Sequence, residues 1–207
     1  MPFPINPHPY IFKGEYDFEF DTIKDKVDTY LDHAKEEIIR QNAQTHEKDG
    51  GTTSVIISKR DPPHNWDCFK KFQENYLYRT IDDVWSQMRF MNLTKQLDTS
   101  WINVHPPGAY TEEHHHQNVI IAVAAYLHVP ENSGRLLVKN PLQPYKMGEP
   151  LVYDYYDEGY DWAPIEVKTN DVLFFPGWMT HKTEKNNSND DRYVMSMNII
   201  GVHYYAN

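Results

Sequence analysis

A mainly β fold, a small antiparallel barrel or jelly roll with helices on its outside, follows from three observations. The second half of the chain breaks into short apolar runs separated by Pro, Gly and Asn, the pattern of strands joined by turns. Two segments of the first half instead carry apolar residues at helical spacing. The 207 residues, 40% hydrophobic and 14% aromatic, suffice for one domain with a sizeable core.

After a proline-punctuated arm, Asp21-Thr22 opens a segment with Ile23, Val27, Tyr30, Leu31, Ala34 and Ile38 along one face, which predicts a helix to about Arg40. The polar stretch 41–53, with Gly50-Gly51, breaks that helix. Ser54-Val55-Ile56-Ile57 then reads as a short strand leading into the turn Asp61-Pro62-Pro63. From Trp66, the residues Phe69, Phe72, Tyr76, Leu77, Ile81, Val84 and Met88 predict a second helix ending near Asn92. The runs Ser100–Val104, Asn118–Val129, Arg135–Lys139, Ile165–Lys168, Val172–Phe175 and Tyr193–Val202 predict the strands. No repeat or linker interrupts the chain, so 1–207 reads as a single domain. Its arm and supporting helices occupy 1–96, the barrel 97–207, and the helices pack outside one sheet.

A net charge of −10 argues against broad binding to nucleic-acid phosphate or to an anionic membrane. Cys68 is the only cysteine, so an intramolecular disulfide is impossible and a reducing, cytoplasmic setting is expected. MPFPINPHPY has no basic segment followed by an apolar run, and no stretch approaches the roughly 18 apolar residues of a membrane span. A homodimer would be unsurprising given the aromatic content.

The chemistry concentrates in EEHHHQN, residues 112–118. On an extended strand residues two apart share a face, so His114 and His116 converge while His115 points away. His181, which follows the apolar run Val172–Phe175 and Pro176, is placed to add a third imidazole. Three imidazoles leave coordination positions open, as in catalytic zinc and mononuclear iron sites.

These residues belong to a wider pattern. Trp101-Ile102-Asn103-Val104, Gly108, His114-x-His116, Tyr126-Leu127, Pro130 to Gly134, Asn140-Pro141, Phe174-Phe175-Pro176, His181, Arg192 and Ser196-Met197-Asn198 follow in order. The pattern resembles the 2-oxoglutarate and Fe(II)-dependent oxygenases with a prolyl-4-hydroxylase-like double-stranded β-helix, in the branch whose first motif is His-x-His rather than His-x-Asp. It covers about half the chain, roughly 97–200. The resemblance implies a double-stranded β-helix, Fe(II) held by His114, His116 and His181, and Arg192 gripping the distal carboxylate of 2-oxoglutarate with help from Tyr126. A guanidinium suits that task because it offers two parallel donors and stays charged in a pocket. Asn103, Ser196 and Asn198 are further candidates for the co-substrate. The implied reaction consumes dioxygen and hydroxylates a substrate, for which a peptide or a small molecule is favoured.

Three departures from the family pattern bear on the site, the largest being the neutral His116 in the carboxylate position, which makes the site one unit more positive. Ala122-Val123 stand where the family has Ser-Gly, and Val194 stands where a hydroxyl often follows the arginine. Other readings of the same residues stay open. Glu112 or Glu113 could supply a carboxylate ligand. A cupin-like zinc or iron enzyme would keep the histidines without 2-oxoglutarate, although the glutamate of the cupin motif is missing from the apolar stretch 119–123. A non-catalytic binding barrel would use neither. The acidic, aromatic segment Tyr153–Trp162 reads as a solvated loop or as a lid over the mouth.

Overall fold

The computed structural model describes residues 11–88, 93–141 and 161–203. Of the segment Tyr153–Trp162, residues 153–160 lie outside the described residues, as does the arm over 1–10.

Eleven strands and three α-helices are described. Strand β1 (Phe12–Glu15) precedes α1 (Phe20–Gln41), whose buried Val27, Tyr30, Leu31 and Ala34 are the stripe read from the sequence. The helix stops at Asn42, which takes the left-handed conformation and lets Ala43 N donate to Ile38 O. Two short strands follow, β2 (Glu47–Lys48) and β3 (Thr52–Thr53).

The second helical segment is assembled from α2 (Asp67–Phe72), a π turn (Gln73–Leu77) and α3 (Tyr78–Gln87). Phe72 and Leu77 are five residues apart, one too many for a regular helix face. The π turn absorbs the extra residue, so Phe69, Phe72, Leu77, Ile81 and Val84 are all buried in one core.

The strands β4 (Leu93–His105), β5 (Tyr110–Thr111), β6 (Ile121–His128), β7 (Leu136–Lys139), β8 (Trp162–Ile165), β9 (Asp171–Pro176), β10 (His181–Thr183) and β11 (Arg192–His203) complete the fold. The main sheet runs β1-β9-β6-β11-β4-β3, facing a smaller sheet β10-β7-β8, with β2-β5 as a separate pair. All pairings are antiparallel. Two antiparallel sheets closed in this way, with helices on one face, form the double-stranded β-helix.

Alternation along the strands divides two cores. Ile121, Val123, Ala125 and Leu127 of β6 and Tyr193, Met195, Met197 and Ile199 of β11 meet the helices. Ala122, Ala124, Tyr126 and Val194 point the other way, into the barrel, with Leu173 and Phe175 of β9. Both faces are covered, which is why 121–127 is apolar throughout rather than alternating. Fully burying one such large side chain contributes about 2 kcal/mol.

Several boundaries differ from the sequence reading. Val55–Ile57 form turns, because Ser54 ties the chain to Ile102: Ser54 N donates to Ile102 O and Ile102 N to Ser54 Oγ. The paired residues there are Thr52 and Thr53 instead. Strand β4 begins at Leu93, well before Ser100, and β8 lies a few residues earlier than predicted. The first-half strands β1 and β3 sit at the two edges of the main sheet. Among the described residues no helix is long and apolar enough to cross a membrane.

Candidate metal centre

Strand β9 ends at Pro176, the chain turns through 177–180, and β10 opens on His181. The loop bearing His114 and His116 is stitched to this turn by backbone hydrogen bonds. His114 N donates to His181 O (3.0 Å), His181 N to His114 O (2.9 Å), and His116 N to Gly177 O (2.9 Å). A Cβ at position 177 would lie 2.4 Å from Val119 O, so only glycine admits the loop this closely. The convergence of His114 and His116 therefore comes from a bridged loop and not from the regular strand expected; His115 is exposed as expected.

One nitrogen from each of His114, His116 and His181 lies within 4.8 Å of the other two, His181 being buried and the others half-buried. Each ring is oriented by an acceptor behind it. Nδ1 of His114 meets Glu112 O (2.8 Å), that of His181 meets Met179 O (2.9 Å), and that of His116 meets Asn198 Oδ1 (2.7 Å). A carbonyl oxygen only accepts, so all three protons sit on Nδ1 and all three Nε2 lone pairs are free for an ion. Asn198 is itself held, its Nδ2 donating to Thr99 Oγ1 (3.1 Å). Burial lowers the three pKa values, to about 4 for His116 and about 3 for His181, and it lowers that of His114 as well. The rings are thus neutral ligands at pH 7, and the donor set fits a divalent transition ion with open positions.

Glu112 and Glu113 do not join them. Glu112 pairs with Lys48 at 3.2 Å and Glu113 with Lys139 at 2.6 Å. His46 stacks on His114 with ring centroids 4.8 Å apart, and Trp101 tilts over His116 at 5.6 Å.

The three histidines open on a cavity of about 60 Å³ also lined by Trp101, Asn103, His105, Tyr126, Phe175 and Ser196. Among the described residues Asn103 Oδ1 is buried there without a hydrogen-bond partner. Of the co-substrate candidates, Asn103, Tyr126 and Ser196 reach this cavity. Asn198 stands behind His116 instead. Arg192, 1% exposed, lies behind the wall: Nη1 donates to Ser133 O (2.6 Å) and Gly134 O (2.9 Å), while Nε and Nη2 face His105 Nδ1 at 3.4 and 3.3 Å. A larger open groove of about 790 Å³ shares Ser133 and Gly134 with these bonds but touches none of the three histidines.

Sequence reasoning missed His105, Glu47 and Thr111. His105 Nε2 lies 2.6 Å from Glu47 Oε2 and 2.8 Å from Thr111 Oγ1, all three side chains being buried. Period-two alternation from Asn103 could have found His105. Nothing in the polar stretch 41–53 marks Glu47.

Two outcomes follow from these contacts. Replacing Asn198 with Ala should weaken Fe(II) binding by about 10- to 100-fold, as measured by titration, because the His116 ring loses its orienting partner. The metal-free protein should also lose stability as the pH falls below 6.5. The folded pKa of His181 is about 3, against 6.5 unfolded, so its neutral form contributes fully above 6.5 and this contribution declines on acidification. Between pH 6.5 and 5 that loss reaches about 2 kcal/mol, readable as a lower denaturation midpoint.

Residues 99–198, just under half of the chain, match the family model described as "Putative 2OG-Fe(II) oxygenase". Solved structures similar in fold at TM-scores above 0.5 include the following three. HygX from Streptomyces hygroscopicus, with nickel and 2-oxoglutarate bound, is 10% identical (TM-score 0.55), and the match covers 92% of this chain and 82% of that one. The viral collagen prolyl hydroxylase vCPH from Paramecium Bursaria Chlorella virus-1, a 2-oxoglutarate complex, is 13% identical (TM-score 0.54; 95% and 98% covered). A Pseudomonas putida prolyl-4-hydroxylase is 12% identical (TM-score 0.53; 93% and 92%). Two other structures, at TM-scores of 0.40 and 0.43, are covered over only 27% and 57% of their own length. No curated protein matches the chain in sequence.

Proposed function

We propose that this chain, which over residues 99–198 belongs to the 2-oxoglutarate and Fe(II)-dependent oxygenase family, holds its iron with His114, His116 and His181 and its co-substrate with Arg192, Tyr126, Asn103 and Ser196. The observation that carries this reading is the common orientation of the three imidazoles, each with Nδ1–H tied back and Nε2 free. When bound, Fe(II) with 2-oxoglutarate and dioxygen supplies oxidative decarboxylation of the keto acid to succinate and carbon dioxide, coupled to hydroxylation of a C–H bond.

The protein's own residues set the conditions for that chemistry. Three neutral imidazoles leave the charge of the ion uncompensated by protein, so the pocket favours a doubly anionic co-substrate over a neutral one. Phe175, Val194 and Leu136 form an apolar wall that limits water at the reacting end. Tyr126 is buried beside Arg192, and its raised pKa, caused by burial, keeps the hydroxyl a donor. Asn198 serves the His116 ring and not the co-substrate.

The substrate is a peptide or a small molecule on this reading. The acidic balance of the chain supports a neutral or basic one, and the exposed His46, stacked on His114, offers it an aromatic surface. A reducing, cytoplasmic setting, in keeping with the single cysteine, would preserve Fe(II).

Anaerobic titration of the metal-free protein with Fe(II) and then 2-oxoglutarate tests the proposal. A visible charge-transfer band saturating at one equivalent is expected. Iron binding without the band would favour the cupin-like reading, and no iron binding would remove the enzyme reading.

A further inference from the structure

Arg192 has five N–H donors, and the structure commits them unevenly. The two on Nη1 are held by the Ser133 and Gly134 carbonyls at 2.6 and 2.9 Å. The edge formed by Nε and Nη2 meets His105 Nδ1 at 3.4 and 3.3 Å, long for bonds from a guanidinium. These two bonds share one lone pair, so this edge is the part of Arg192 most readily given over to a carboxylate, and His105, which lines the cavity, stands at it.

The state of His105 follows from its partners. A guanidinium cannot accept, so His105 Nδ1 carries the lone pair and its proton sits on Nε2, directed at Glu47 Oε2 (2.6 Å). Thr111 Oγ1 donates to the same carboxylate oxygen at 2.9 Å. Glu47 thus fixes the tautomer and plane of His105, and through the ring its charge balances the buried guanidinium, which Tyr126 and Glu184 also face. It is placed to do so by the β2–β5 pairing, where Glu47 lies opposite Thr111.

We infer that Glu47 and His105 are positioning residues for the co-substrate: Glu47 holds His105, and His105 holds the Nε–Nη2 edge of Arg192 in the orientation in which the distal carboxylate of 2-oxoglutarate takes it over. The inference rests on the oxygenase reading above. It assigns a role in the site to Glu47, a residue well outside the segment that matches the family, 99–198.

The test is the anaerobic titration of Fe(II)-loaded protein with 2-oxoglutarate, for wild type, Glu47→Ala and Glu47→Gln. In Glu47→Ala the charge-transfer band should still form at saturation but require about tenfold more 2-oxoglutarate, with Fe(II) affinity unchanged. Glu47→Gln keeps an acceptor for His105 Nε2–H without the charge and should recover part of the loss. Wild-type 2-oxoglutarate affinity in both variants would overturn the inference while leaving the oxygenase reading intact. An equal fall in Fe(II) affinity would make Glu47 a fold-holding residue and overturn it too. Absence of the band in the wild type would sink the oxygenase reading, and the inference with it.

Discussion

Replacing His181 with Ala should abolish stoichiometric Fe(II) binding, a larger effect than the 10- to 100-fold expected from losing a supporting partner. His181 is the most buried of the three imidazoles, and its backbone forms both bridges to His114. The substitution leaves those bridges in place, so the loop keeps its path while the ion loses a ligand. A second readout separates the lost ligand from a lost fold. Because its buried neutral ring is one of the groups that make the metal-free protein acid-sensitive, metal-free His181→Ala should lose less stability than wild type between pH 6.5 and 5. Chemical denaturation at the two pH values checks this. Wild-type iron affinity in the variant would show that the ligand assignment is wrong.

The second large effect is expected at Arg192. Arg192→Leu should leave Fe(II) bound and reduce 2-oxoglutarate binding below detection in the same titration. It should also destabilise the fold by about 3–5 kcal/mol, the range for breaking a buried charge arrangement by removing one partner. The Ser133 and Gly134 carbonyls lose their donor, and Glu47 keeps its charge in the interior without the guanidinium. Arg192→Lys should not rescue the site, since an ammonium cannot span two carbonyls and a histidine edge at once. Unchanged 2-oxoglutarate affinity in Arg192→Leu would move the co-substrate pocket elsewhere.

The fold was legible where local pattern and burial agree. Val27, Tyr30, Leu31 and Ala34 announce α1 because a helix packed on a core must be apolar along one face, and each run predicted from Ser100 onward overlaps an observed strand, although β4 starts at Leu93. It was misread where a tertiary contact overrode propensity. The β-branched run at Val55–Ile57 asks for a strand, but Ser54 spends its hydrogen bonds on Ile102 and turns the chain away. The extra residue between Phe72 and Leu77 is visible in the spacing only once a π turn is known to absorb it.

The site divides along the same line. The three histidines are brought together as expected, although by a bridged loop instead of a strand. Tyr126, Asn103 and Ser196 share the cavity because period-two alternation points them inward. Glu47 could not be found from sequence, since its role depends on β2 meeting β5 across more than sixty residues of chain. Nor could the place of Asn198 behind His116, which depends on how a loop folds over the sheet.

Strand β11 carries Arg192 at one end and, six residues on, Asn198, and it is paired along its length to β4 on one side and over 193–199 to β6 on the other. A strand zipped on both edges releases its amide protons only when the sheet as a whole comes apart. Hydrogen exchange along β11 should therefore report global unfolding. Asn198, the support behind His116, lies within the part paired on both edges. The loop 112–120 is tied down by isolated backbone bonds instead of a ladder, so its amides should exchange faster than those of β11 and entry to the barrel is expected over the histidine loop, not through the sheet.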